Sequence, residues 1–170
     1  IFDAAALSAM PRGGEYLALH GSNPEVLGWI TVPNTNIDYA AALTADNEKY
    51  LHTTLSGEES KSGAIFFDYR TDGSLSGRPL ILYGHNMRAG TMFHDLNSYK
   101  HKGFFENNRR ITLWAGSEKR EYEVYAAYIA TEDIYFIRMY FKDDAYFLDY
   151  MTGLQALSKF STDVELTAAD

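Results

Sequence analysis

Pro79-Leu80-Ile81-Leu82-Tyr83-Gly84-His85-Asn86-Met87-Arg88-Ala89-Gly90-Thr91-Met92-Phe93 is the stretch around which the rest of the sequence organises. The apolar run Leu80 to Tyr83 reads as a buried strand. Gly84 ends it, and His85 follows immediately after the turn. A polar, Gly-containing loop comes next, and Met92-Phe93 opens an apolar, helix-like segment through Leu96 to Tyr99. A strand that delivers one His to a loop holds an imidazole rigidly at a cleft mouth.

Upstream of this stretch, residues 1–27 read as an N-terminal helical appendage and 28–170 as one barrel-like domain. Ile1 to Met10 is rich in helix formers until Pro11 and Gly13-Gly14 break it. Glu15 to His20 makes a second short helix ending at Gly21, and Ser22-Asn23-Pro24-Glu25 has the form of a helix start. From Gly28 the character turns to strands. Trp29 to Val32 is β-rich, Pro33-Asn34-Thr35-Asn36 is turn chemistry, and Ile37 to Tyr39 resumes extended structure, which together read as a hairpin. Asp46 to Leu51 is a capped helical turn, and Ser62 to Asp68 is a strand entered through Gly63.

Downstream, Arg110 to Trp114 and Arg120 to Tyr125 alternate in polarity around the turn Gly116-Ser117-Glu118-Lys119, a second hairpin with one wet face. Tyr125 to Ala130 continues its second arm. Lys142-Asp143-Asp144 opens a helix with Ala145, Leu148, Tyr150, Met151, Leu154 and Leu157 at roughly helical spacing, and Asp163 to Leu166 begins another strand. Short strands interrupted by helices point to a mostly β fold, a barrel or strongly bent sheet with helical insertions, and not to a βαβ fold.

The formal charge of -8, with no basic cluster longer than Arg109-Arg110, excludes a nucleic-acid partner, because phosphate neutralisation needs a basic face. The 170 residues contain no cysteine, which removes disulfides, thiolate zinc sites and a Cys nucleophile from them. No apolar run approaches the ~20 residues that span a bilayer. The first residue is Ile1 rather than Met, as in a trimmed or processed chain from which an upstream signal or anchor could have been removed.

Candidate chemistry narrows to His85. His94-Asp95 lacks a third ligand at helical spacing, so no metal is expected, and His52 and His101 read as solvent-exposed. Gly-x-Ser-x-Gly, Gly-x-x-x-x-Gly-Lys and Gly-x-Gly-x-x-Gly are all absent, which leaves no serine elbow and no phosphate cradle. No cofactor is implied.

Five blocks in order carry a resemblance. Asn23 to Pro33 is similar to the approach to the first barrel strand of class B sortases, and Thr35-Asn36-Ile37-Asp38-Tyr39 to their second strand. Asp46-Asn47-Glu48-Lys49-Tyr50-Leu51-His52 resembles the family's Asp-Asn-x-x-Tyr-Leu turn. Ser62 to Arg70 matches the following strand, and Leu82 to Phe93 the block that carries the catalytic His. The resemblance covers residues 22 to about 160. It implies an eight-stranded barrel with N-terminal helices and a helix between strands six and seven, for which Lys142 to Phe160 is the counterpart. It also implies a membrane-anchored cysteine transpeptidase at the extracellular face of a bacterial membrane. Such an enzyme cuts a C-terminal sorting signal, holds the peptide as a thioacyl enzyme and passes it to an amine of the cell wall or a pilus. By the same matching His85 is the catalytic His, the side-chain type best suited to exchange protons with the leaving and attacking amines. Asn47 and Leu51 fall where the family lines its sorting-signal groove, and Phe136 and Ile137 fall at the groove wall before the inserted helix.

The sequence departs from the family at two motifs. The Cys motif of strand seven and the Arg of strand eight do not occur, and Asp163 to Asp170 looks like the approach to strand seven. Arg70, Arg78, Arg88 and Arg138 lie in other blocks, so none inherits the oxyanion-stabilising role. The expectation is a chain whose last two strands are missing, inactive as it stands because no thiol is present to form the thioacyl intermediate. The alternative is a non-catalytic peptide-binding or scaffolding domain with a degenerate sortase fold.

Overall fold

A computed structural model describes residues 3–131 and 137–167. Its backbone contacts divide the chain into two compact units: Ile1–Leu96 with Arg110–Tyr122, and Asn97–Arg109 with Glu123–Asp170.

The first unit holds the sheet. Two helices, α1 (Ala4–Ser8) and α2 (Gly13–Ser22), precede β1 (Val26–Thr31). Asp3 caps α1 by accepting a hydrogen bond from the Ala5 N–H. The helix start expected at Ser22-Asn23-Pro24-Glu25 is instead an exit: Ser22 ends α2, and Asn23 is extended. Proline disfavours the helical region in the residue before it, so Asn23-Pro24 turns the chain into β1. Leu7 of α1, Met10 of the turn between the helices and Tyr16 of α2 pack with Val26, Trp29, Ala40 and Trp114 from the sheet. The Tyr16 and Trp29 rings meet edge to face with centroids 6.1 Å apart.

β1 pairs antiparallel with β2 (Asp38–Ala42) across the expected turn, where Asn34 adopts φ 59°, a left-handed conformation that asparagine tolerates. The Trp29 indole N–H donates to Asp38 at 2.6 Å, closing the hairpin mouth. A single turn, α3 (Lys49–His52), follows, and β3 (Ile65–Phe67) then pairs parallel with β2. β4 (Leu82–Tyr83) adds antiparallel to β3. On the other side of β1 lie β5 (Arg110–Ala115) and β6 (Glu118–Glu123), the second expected hairpin, so the sheet order is β4-β3-β2-β1-β5-β6.

The strand expected over Leu80 to Tyr83 shrinks to two residues, and it is half-buried rather than buried. β4 is an edge strand, and β3, its partner, is itself only three residues long. The segment expected to be helical after Met92 is a 3-10 helix over His94–Lys100.

In the second unit, α4 (Lys102–Asn107) packs Phe105 against Phe160, and Tyr99 donates to the Asn108 carbonyl at 2.6 Å. The predicted inserted helix is α5 (Asp144–Ala156), capped by Asp143 accepting from the Tyr146 N–H. Residues 124–131 form no strand, contrary to the expected continuation of β6. The Val124 N–H bonds to the Arg109 carbonyl, and β5, the partner strand, begins only at Arg110. Nor does 163–167 form a strand: the Val164 carbonyl accepts from the Gln155 side chain, and Asp163 pairs with Arg109. A segment becomes a strand only where another backbone offers it a ladder.

Candidate functional site

The site is built at the tip of β4. Gly84 brings the backbone against the core so closely that a Cβ there would meet Ile65 Cδ1 at 2.3 Å and Phe93 Cδ2 at 2.8 Å. The next residue, His85, is half-buried, and its carbonyl is fastened by the Phe93 N–H at 2.9 Å. Its ring Nε2 lies 2.9 Å from the Leu51 carbonyl oxygen.

A short helix explains why that carbonyl is available. The last carbonyls of a helix have no partner inside it, and α3 is only one turn long. Each of its four carbonyls takes a donor from elsewhere. Thr53 Oγ1 serves Lys49, the Ala64 N–H serves Tyr50, and the Ser60 N–H serves His52. His85 Nε2 serves Leu51. Because a carbonyl only accepts, Nε2 carries the proton. In the neutral ring Nδ1 is therefore the basic nitrogen. Among the described residues Nδ1 makes no hydrogen bond.

Beneath this contact lies a buried carboxylate. Asp68, 0% exposed, sits directly after β3 and receives Arg70 Nε on Oδ1 and Arg70 Nη2 on Oδ2, both at 2.7 Å. The Arg70 N–H adds a bond to Oδ1 at 3.0 Å. Oδ2 also accepts from the Tyr83 hydroxyl at 2.8 Å and from Asn47 Nδ2 at 3.2 Å. The Arg70 guanidinium holds the Asp68 carboxyl well below the usual carboxylate range, against the opposing effect of burial. Burial, and after it the bond donated to Asp68, pushes the Tyr83 phenol up to about 12. The Phe66 ring neighbours both the Tyr50 ring, with centroids 6.5 Å apart, and the Tyr83 ring, at 5.3 Å.

The expected site residues divide accordingly. His85, Asn47 and Leu51 come together: His85 touches the Leu51 carbonyl, and Asn47 is tied through Asp68 to the strand that carries His85. Asn47 has its amide oxygen on the Tyr69 N–H at 2.9 Å and one N–H on Asp68, so much of its polarity is spent inside the fold. Ile137 is 42% exposed in the second unit, and Phe136 lies outside the described residues. Sequence reading passed over Asp68 and Tyr83. The signal was there: an acid directly after the apolar strand Ile65-Phe66-Phe67, with an Arg two residues on.

A six-stranded mixed sheet entered through two helices, with an imidazole leaving the tip of β4 over the end of α3, defines a sortase-type barrel frame. The Sortase domain family model matches residues 30–152. Sortase B of Listeria monocytogenes is 34% identical over 148 residues, which is 87% of this chain and 60% of that protein. Sortase B of Staphylococcus aureus is 28% identical over 156 residues, 92% of this chain and 64% of that protein. The crystal structure of a Bacillus anthracis protein similar to sortase B superposes with a TM-score of 0.87 at 35% identity, covering 92% of this chain and 73% of that one. The chain belongs to the sortase family, on its class B side, and its mostly β fold with helical insertions is the fold of that class. It spans less than two thirds of the length of the curated relatives it matches.

Proposed function

We propose that these residues are the peptide-binding and proton-handling part of a class B sortase, a cysteine transpeptidase. The complete parent cleaves a C-terminal sorting signal and joins the protein to an amine of the cell wall or a pilus. The observation that carries this reading is the His85 ring, oriented by the Leu51 carbonyl so that Nδ1 is the nitrogen that exchanges protons. In the family's reaction a Cys thiolate attacks the scissile carbonyl, and the imidazole protonates the leaving amine. The imidazole then takes a proton from the incoming amine as the thioester is resolved. An Arg stabilises the tetrahedral oxyanion. The 170 residues supply His85 and part of the groove, Asn47 and Leu51, with Phe136 and Ile137 as further groove-lining residues. They contain no thiol, so by themselves they form no thioacyl intermediate and are inactive as a transpeptidase.

The site of action is the bacterial cell surface, with a membrane anchor upstream. Among the described residues no helix is long and apolar enough to cross a membrane. The test is cleavage of a sorting-signal peptide by the complete parent, with and without His85→Ala. Turnover is expected to fall at least ~100-fold, the order that general acid–base catalysis contributes. Unchanged turnover refutes the role of His85 and with it this reading.

A further inference from the structure

We infer that Asp68 is the positioning residue of this site: one buried oxygen, Oδ2, ties together the two elements whose meeting orients His85. The His85 Nε2 to Leu51 carbonyl contact joins β4 to α3. Asn47 lies four residues before Leu51, on the approach to α3, and Tyr83 lies two residues before His85, on β4. Both donate to Asp68 Oδ2, at 3.2 and 2.8 Å, and Arg70 Nη2 fixes the same oxygen at 2.7 Å.

Stability alone gives little reason for this arrangement. A buried ion pair is often no better than an apolar group of the same volume, and its best-attested use is to specify one geometry. Here all five donors to the carboxylate come from within the same cluster, so the group is fully satisfied and sits in one place. The rings of Tyr50 on α3, Phe66 on β3 and Tyr83 on β4 are neighbours in turn, so the two tethered elements are also packed to each other through β3. Asn47, expected to contact the peptide, thereby serves the scaffold through two of its polar atoms. The inference deepens the sortase reading, and only its kinetic arm rests on that reading.

The test uses the 170-residue chain with ¹⁵N-labelled histidine. In the wild type the neutral His85 ring is expected to show a protonated Nε2 and an unprotonated Nδ1. Tyr83→Phe removes one hydroxyl from the cluster and keeps the ring beside Phe66. It is expected to draw the two nitrogen shifts towards each other, as the tautomers mix, while the circular dichroism spectrum stays that of the folded chain. Asp68→Asn should give the same change, larger. A cluster that serves only stability would lower the melting temperature in both variants and leave the His85 shifts at their wild-type values, and that result overturns the inference. In the complete parent, Tyr83→Phe should lower kcat about tenfold, with KM within about twofold, as loss of an orienting partner does. An unchanged kcat also overturns it. Failure of the sortase reading is distinguishable, because it appears in the His85→Ala turnover and leaves the nitrogen shifts unaffected.

Discussion

Replacing Gly63 by Ala should unfold the support of the site far more readily than replacing a surface glycine of the same handedness. Gly63 has φ +57°, and a Cβ there would lie 2.1 Å from the Tyr50 carbonyl oxygen and 2.9 Å from that of Leu51. Both obstacles are backbone, so no rotamer change relieves them. The left-handed conformation alone costs an L-residue about 1–2 kcal/mol. Relieving the clash also pulls the Ala64 N–H off the Tyr50 carbonyl, a 2.9 Å bond whose loss leaves a shielded acceptor unsatisfied, at about 1–3 kcal/mol. Gly57, with φ +86° and no atom within 4 Å of where a Cβ would stand, isolates the conformational part. Urea and thermal unfolding should place Gly63→Ala about 2–5 kcal/mol below the wild type, near 10 °C in melting temperature at roughly 2–4 °C per kcal/mol for a chain of this size. Gly57→Ala should lose only about 1–2 kcal/mol. If the two variants unfold within ~1 kcal/mol of each other, the close approach of Gly63 to α3 is not what holds that helix, and the reasoning fails.

Leu7→Ala truncates a side chain 1% exposed between α1 and the sheet, and should cost about 2–5 kcal/mol in unfolding free energy. A loss below ~1 kcal/mol would mean that α1 does not pack on the sheet in solution. Arg70→Met leaves the Asp68 charge buried without its principal partner and should destabilise by about 3–5 kcal/mol, whereas exposed Lys102→Met should change urea stability by less than ~1 kcal/mol. Because the Asp68 carboxyl is held low in the folded state, its ionised form stabilises the fold above the ordinary carboxylate pKa of ~3.9. That contribution drains away as pH falls from there through the folded value. Stability measured from about pH 5 to pH 2 should therefore fall more steeply for the wild type than for Asp68→Asn, and parallel curves would contradict the assignment.

Local chemistry made much of this fold legible in advance. Pro33-Asn34-Thr35-Asn36 and Gly116-Ser117 mark turns that need only their own residues, and both hairpins formed around them, with Glu118 and Lys119, expected in the second turn, already in β6. Asp46 announces α3 because its carboxylate accepts from the Glu48 and Lys49 N–H groups, and Asp143 announces α5 in the same way. Ser22-Asn23-Pro24-Glu25 misled, since the same residues that start a helix also stop one, and only the strand beyond Pro24 decides between the two. Leu80-Ile81 misled for a different reason: apolar content does not reveal that β3, the partner strand, is three residues long.

By itself the sequence determined the hairpins, the helix caps and the one histidine set beyond a strand, because each depends on groups a few residues apart. It also determined that these 170 residues hold no thiol. The tertiary structure alone decided that β3 runs parallel to β2, that His85 points its Nε2 proton at Leu51, and that Asn47, Asp68 and Tyr83 meet. Those contacts join residues 15 to 34 positions apart. A buried carboxylate must find all its donors in the same place, and no periodicity along the chain encodes which distant residues supply them.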